Sequence, residues 1–223
     1  MANNMKKRDV YKGITITAGA AALMVLGMLI VSAMNNGVSA QDFESIRSAE
    51  AYASALLAEK STLQMILTLD NLFLILYTAA FAFIATAAWK KRSRILIITA
   101  LGAILVTTFL DIQENAQLLN FVAMAENGIV IEAGMLLERA VLSQTKFMSS
   151  YLSFFLFAFV LPQRTFLERS LRWSLWTIAP IIGILVYTYP AMIWSLGRFS
   201  FMMIGLTIIA WNYWIKAQSK SDS

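Results

Sequence analysis

Six long apolar runs punctuate the chain, at about residues 14–34, 63–89, 95–115, 147–161, 173–189 and 199–215, each bounded by polar or charged segments. About 20 helical residues, rising 1.5 Å each, cross roughly 30 Å of hydrocarbon. The pattern therefore predicts an all-α fold, a polytopic membrane helical bundle of six transmembrane helices in one transmembrane domain covering 1–223. Antiparallel helices with short links are the expected packing, with no room for a separate soluble domain. Outside the runs, residues 41–60 read as a polar helix leading into the second span, and 121–145 as a loop with a short helix, EAGMLLERAVLS. Pro162 and Pro190 mark helix ends, and Pro180 is placed to kink the fifth span.

Composition strengthens this picture. Of the 223 residues 59% are hydrophobic and 14% charged, with mean hydropathy +0.66, against roughly 25% charged residues in soluble domains. The charge distribution then orients the bundle. Lys6, Lys7, Arg8 and Lys12 precede the first run; Lys90, Lys91, Arg92 and Arg94 separate the second from the third; Arg164, Arg169 and Arg172 lie between the fourth and fifth; Lys216 and Lys220 follow the sixth. Thus 13 of the 18 Lys and Arg fall on one side, leaving Arg47, Lys60, Arg139, Lys146 and Arg198 on the other. By the positive-inside rule both termini are cytoplasmic, as in a bacterial inner-membrane protein, and Trp89, Trp173, Trp211 and Trp214 form the matching aromatic belt. A basic pI near 9.5 then reports topology and contact with the lipid bilayer, and no nucleic-acid partner is expected. The basic start, the apolar run and the sequence VSA ending at Ala40 also fit a signal peptide cleaved before Gln41. The run is long for that purpose, and cleavage would leave five spans with the same orientation.

Absent residues prune the chemistry. The chain has no histidine and no cysteine, which removes His-ligated zinc, thiolate catalysis and disulfides. It also lacks Walker, G-x-G-x-x-G and G-x-S-x-G motifs. No cofactor is predicted, and any metal would be a hard cation such as Mg or Ca.

Counting from the basic anchors places five ionisable groups at one depth. Asp111 and Glu114 lie 17 and 20 residues from Arg94, Asp70 lies 20 from Lys90, Lys146 18 from Arg164, and Arg198 18 from Lys216. Each is about 26–30 Å above the cytoplasmic boundary. Charged residues at the edge of hydrocarbon need no special explanation. Helical spacing adds more, because polar positions continue inward from each charge. Asp111 shares a face with Thr107, Thr108, Glu114 and Asn115; Asp70 and Asn71 are followed by Tyr77 and Thr78; Lys146, Ser149, Ser150 and Ser153 fall at i, i+3, i+4 and i+7.

Two interpretations stay open. The stripes line a water-accessible cleft, in which Asp70, Asn71, Asp111, Glu114, Asn115 and Lys146 bind a small polar or cationic ligand, or Asp70, Asp111 and Glu114 hold a metal ion. Alternatively the polar groups fasten helices together. Glu126, Glu132, Glu138 and Arg139 read as solvated loop charges, Tyr187, Tyr189 and Trp194 as outer-interface aromatics, and the twelve Met as packing. The stretch LDNLFLILYT with DIQEN resembles small uncharacterised bacterial multi-pass membrane proteins carrying Asp-x-Leu-Phe followed by Asp-x-x-Glu-Asn, with Lys146 as a third element. That resemblance covers about two helices and implies that Asp70, Asp111, Glu114 and Asn115 act together; it implies no activity.

The functional expectation is an integral membrane protein with an extracytoplasmic acidic pocket that handles an ion or a small polar ligand, by transport or sensing. The alternatives are a membrane-embedded enzyme acting on a lipid or isoprenoid head group, and a non-catalytic structural or partner-binding subunit. No catalytic residue is identifiable.

Overall fold

A computed structural model describes residues 2–44, 48–90, 92–188 and 192–219, except for the side chains at 2–6, 187 and 192. Arg47, Lys91, Tyr189, Pro190 and Lys220, and the side chains of Lys6 and Tyr187, lie outside the described residues. Among those described, the chain is helical and without strands: α1 (Ala2–Met34), α2 (Ala49–Ala58), α3 (Lys60–Ala88), α4 (Arg94–Glu126), α5 (Ala133–Val160), α6 (Phe166–Trp176), α7 (Ile178–Thr188) and α8 (Met192–Gln218), with a 3-10 turn at Ala40–Phe43. Four of these helices contain stretches long and apolar enough to cross a membrane, at Lys7–Met34, Lys60–Ala88, Arg94–Glu126 and Ile193–Gln218. Large apolar side chains such as Ile16, Ile75, Phe109 and Ile184 face outward. In water that would be a liability; against lipid it is the expected outer surface. Length and composition thus point to a helical bundle of the membrane type.

Local chemistry sets the helix ends. α1 stops where Asn36 and Gly37 take positive φ, 55° and 81°, and Gly37 N–H returns to the Ser32 carbonyl at 2.8 Å. α4 ends in a Schellman arrangement, with Gly128 at φ 65° and the N–H groups of Ile129 and Gly128 bonding Met124 O and Ala125 O. α5 ends at Leu161, held extended by Pro162 behind it. Thr165 and Glu168 form a capping box that starts α6.

Two expectations need correction. Residues 121–145 are not a loop with one short helix: α4 continues to Glu126 and α5 begins at Ala133. At 33 residues α4 is about 50 Å long, so it projects beyond the hydrocarbon. The run at 173–189 is not one kinked helix, because α6 and α7 are separate eleven-residue helices parted at Thr177. Pro180 explains the break. Its ring opposes the carbonyl of Trp176, four residues earlier, whereas in the first turn of a new helix its missing N–H costs nothing.

Packing order closes the bundle on itself. α1 lies between α3 and α8, α3 against α4, α4 against α5, and α6 and α7 bridge α5 back to α8. Small residues allow the close approaches of α1: Ala18 and Ala21 are fully buried, and a Cβ on Gly13 would meet the Phe83 ring at 2.9 Å. One large core joins α1, α3, α4, α5, α6 and α8, while a smaller one, built on Phe43, Tyr52, Leu118 and Phe121, caps the far end beneath α2.

The basic segments gather at the opposite end. Arg92 donates to Leu161 O at 3.2 Å, Lys216 pairs with Glu168, and the rings of Tyr11 and Tyr213 meet at 5.4 Å. Burial disfavours the Glu168 carboxylate, but hydrogen bonds from Lys216 and from the Thr165 and Arg164 N–H groups prevail and hold it below the usual carboxylate range.

Candidate functional site

The ring of helices surrounds a partly open cavity of about 470 Å³. This is within the size range of small-molecule sites. Its lower walls are apolar, from Phe81, Phe154, Leu171, Leu175, Leu206 and Ile209, and its upper end is charged.

Lys146 on α5 occupies the centre of that charged end. Its ammonium group is 3.0 Å from Asp111 Oδ1 and pairs with Glu114 Oε2, both carboxylates coming from α4. The i, i+3 spacing puts the two carboxylates on one face, so a single cation answers both. Glu114 is also held by Arg139, whose Nη2 lies 3.4 Å from Glu114 Oε1 and whose Nη1 donates to Glu114 O at 2.8 Å. Arg139 Nε donates to the Phe43 carbonyl at 3.1 Å, and the Tyr52 hydroxyl donates to the same oxygen at 3.0 Å. Arg139 thereby ties the segment after α1 to α4 and α5.

Arg139 corrects the sequence expectation. It is no solvated loop charge but is 2% exposed, because α5 begins well before the fourth apolar run. The α5 stripe extends upward through Ser143 to Arg139, at helical spacing from Lys146. The spacing is present in the sequence, but it reads as a face only once residues 133–145 are helical. Glu126, by contrast, is exposed and pairs with Lys60, and Glu132 and Glu138 are exposed as expected.

A second polar group adjoins the first. Asn115 Nδ2 donates to Asp70 Oδ2 at 2.7 Å and to Asn71 Oδ1 at 3.1 Å, linking α4 to α3. Asn115 is buried, Asp70 half-buried, and Asn71 largely faces outward. Deeper on these helices, Thr108 donates to Ile104 O. Its hydroxyl proton is thereby used, so it accepts from Tyr77 at 2.9 Å and from Thr78 at 2.7 Å.

The six residues expected from sequence are brought together, but not every polar position lines the cavity. Ser149 and Ser153 donate to the α4 carbonyls of Ala103 and Ala100, each at 2.8 Å, and are fasteners between helices. Ser150, one position round the helix, faces the cavity. Among the described residues no group of three or more acidic side chains is placed to hold a metal ion. Asp111 and Glu114 are engaged by Lys146 and Arg139, and Asp70 by Asn115.

Besides Arg139 and Arg198, three further contributors were not assigned to the site from sequence. Glu44 joins it from the segment after α1. Burial pushes its carboxyl above the usual range; the Lys146 charge opposes this shift and Glu114 adds to it. Phe147 carries Lys146 4.4 Å and Arg198 3.7 Å from its ring centroid. Tyr151 lines the cavity wall beside Arg198. A Cβ at Gly183 of α7 would lie 2.4 Å from the Tyr151 ring, so only glycine permits this approach. Comparison with protein-family models, with curated proteins and with solved structures finds no match to the chain.

Proposed function

We propose that the chain is a six-span bacterial inner-membrane protein, with both termini cytoplasmic, whose charged pocket opens to the extracytoplasmic side and binds a small ligand for transport or sensing. α1, α3, α4 and α8 supply four crossings, and α5 and the α6–α7 tandem supply the others. The polar face of α5 lowers its hydropathy without shortening it, since 28 residues extend about 42 Å. The positive-inside pattern supports the orientation, as does the meeting of Arg92, Glu168 and Lys216 at one end.

The observation that carries the binding reading is the buried Asp111–Lys146–Glu114–Arg139 network at one end of a cavity of about 470 Å³. Fastening alone would need no cavity beside the ions. The continuity of the charged end with apolar walls also favours a second reading, an enzyme acting on a lipid or isoprenoid head group, with Asp70 as the carboxylate least encumbered by cations.

The chain has no native cysteine, so single substitutions test the pocket directly. In intact spheroplasts, Ser150→Cys is expected to react with a membrane-impermeant thiol reagent and Ser153→Cys to be protected. Protection at both positions would mean that the cavity is sealed and the polar groups only fasten helices.

A further inference from the structure

Arg198 is the cation in the cavity that the described network does not employ. It is 8% exposed, and both its Nη atoms are buried without a hydrogen-bond partner among the described residues. The guanidinium lies 3.7 Å above the Phe147 ring centroid. Stacking satisfies the face of a guanidinium and leaves its in-plane N–H donors directed outward, in the fork that matches carboxylate and phosphate oxygens. Buried donors of a charged group are costly to leave unmet, so an acceptor is called for.

No described residue meets either Nη atom in hydrogen-bond geometry. Glu44 and Asp111 lie within electrostatic reach of Arg198, but no described carboxylate is within 4.0 Å of it. Asp111 and Glu114 are already engaged by Lys146. The buried Tyr151 hydroxyl adjoins the guanidinium and is held there by the close approach of α7 at Gly183. From Arg198 the cavity wall continues down α8 through Met202 and Leu206 to Ile209, faced by Phe81, Leu171 and Leu175. Eleven helical residues separate Arg198 from Ile209, a depth of about 16 Å, which accommodates an extended hydrocarbon chain of about a dozen carbons.

The geometry points to an anionic amphipath as the ligand: a phosphate or carboxylate head received by Arg198 and Tyr151, with its hydrocarbon tail lying along α8 in the apolar part of the cavity. This rests on the pocket reading above and narrows it, because the acidic residues alone suggested a cation. In this arrangement Asp111 and Glu114 are held by Lys146 and Arg139 and Asp70 by Asn115, and the anion enters beside them through Arg198, whose two Nη atoms have no hydrogen-bond partner among the described residues.

The test uses the full chain with Ser150→Cys in phosphatidylcholine nanodiscs, with the rate of thiol labelling as readout. Dodecyl phosphate is expected to slow labelling at least about tenfold, the scale of one charge-assisted contact. Inorganic phosphate and dodecyltrimethylammonium at the same concentration are expected to leave it unchanged. With protection read as the ratio of unliganded to liganded rates in each variant, adding Arg198→Gln should abolish it, Arg198→Lys should retain part of it, and Tyr151→Phe should weaken it less. Equal protection by dodecyltrimethylammonium, or by dodecyl phosphate in both Arg198 variants, overturns the anion assignment while leaving the pocket intact. Equal protection by inorganic phosphate removes the tail. A thiol at position 150 that never reacts removes the pocket reading and this inference with it.

Discussion

Two lysine–glutamate pairs stand at opposite ends of the bundle and do different things. Lys216 and Glu168 close a structure: one Glu168 oxygen accepts the Arg164 and Thr165 N–H groups, the other takes Lys216, and Glu168 is not among the residues lining the cavity described above. Lys146 and Glu114 belong to a larger set, in which a second carboxylate, Arg139 and the neighbouring Arg198 border empty space. Pairing of charges is therefore no mark of function in this protein. What distinguishes the second region is donor capacity left over beside a cavity.

The strongest way to break the contrast is to remove a cation from the charged end. Arg139→Met leaves Glu114 short of a partner and frees the Phe43 carbonyl from α5, and a loss of about 3–5 kcal/mol is expected for a buried pair broken from one side. Thermal unfolding in detergent measures this, and a change below about 1 kcal/mol would mean that water already reaches Glu114. Next in size is Glu168→Ala, expected to cost about 1–2 kcal/mol through the lost cap while leaving Ser150→Cys labelling untouched. Altered labelling there would show that the two ends communicate.

The two ends are also expected to differ in their response to pH. Glu168, held below its usual range, contributes stability that is present above the ordinary carboxylate pKa and lost as pH falls through its lowered value. Glu44, raised by burial, contributes stability that is present below the ordinary pKa and lost as pH rises through its raised value. Glu168→Gln should therefore flatten the acid side of the unfolding profile and Glu44→Gln the side above it. Profiles that shift in the same direction would contradict the opposite environments of these carboxylates. The smallest effect belongs to the seam between the regions. Ser153→Ala should cost about 0.5–1.5 kcal/mol, the worth of one hydrogen bond to a backbone carbonyl, with no change in ligand protection at Ser150→Cys.

Much of this was readable in advance for a physical reason. Hydrocarbon forces long apolar helices, and helical spacing forces Asp111, Glu114 and Asn115 onto one face of α4 and Lys146 onto the α5 stripe. Polar residues do not end a helix in this chain: α4 runs on to Glu126 and α5 begins at Ala133. Arg139 stands in polar sequence, yet α5 already runs from Ala133, because a helix can turn polar without ceasing to be helical. The serines of α5 looked alike because spacing gives the face and not the neighbour; Ser149 and Ser153 meet α4 carbonyls, and Ser150 meets the cavity.

The sequence by itself determined the helical class and set the expected membrane placement, orientation and common depth of the charged residues, since each depends only on hydropathy, charge and a rise of 1.5 Å per residue. Only the tertiary structure decided which charges are consumed by one another and which is left over. Hydrogen bonding is directional and closes within about 3 Å, so the pairing of Lys146 with two carboxylates, and the open donors of Arg198, depend on how α4, α5 and α8 pack around a common space.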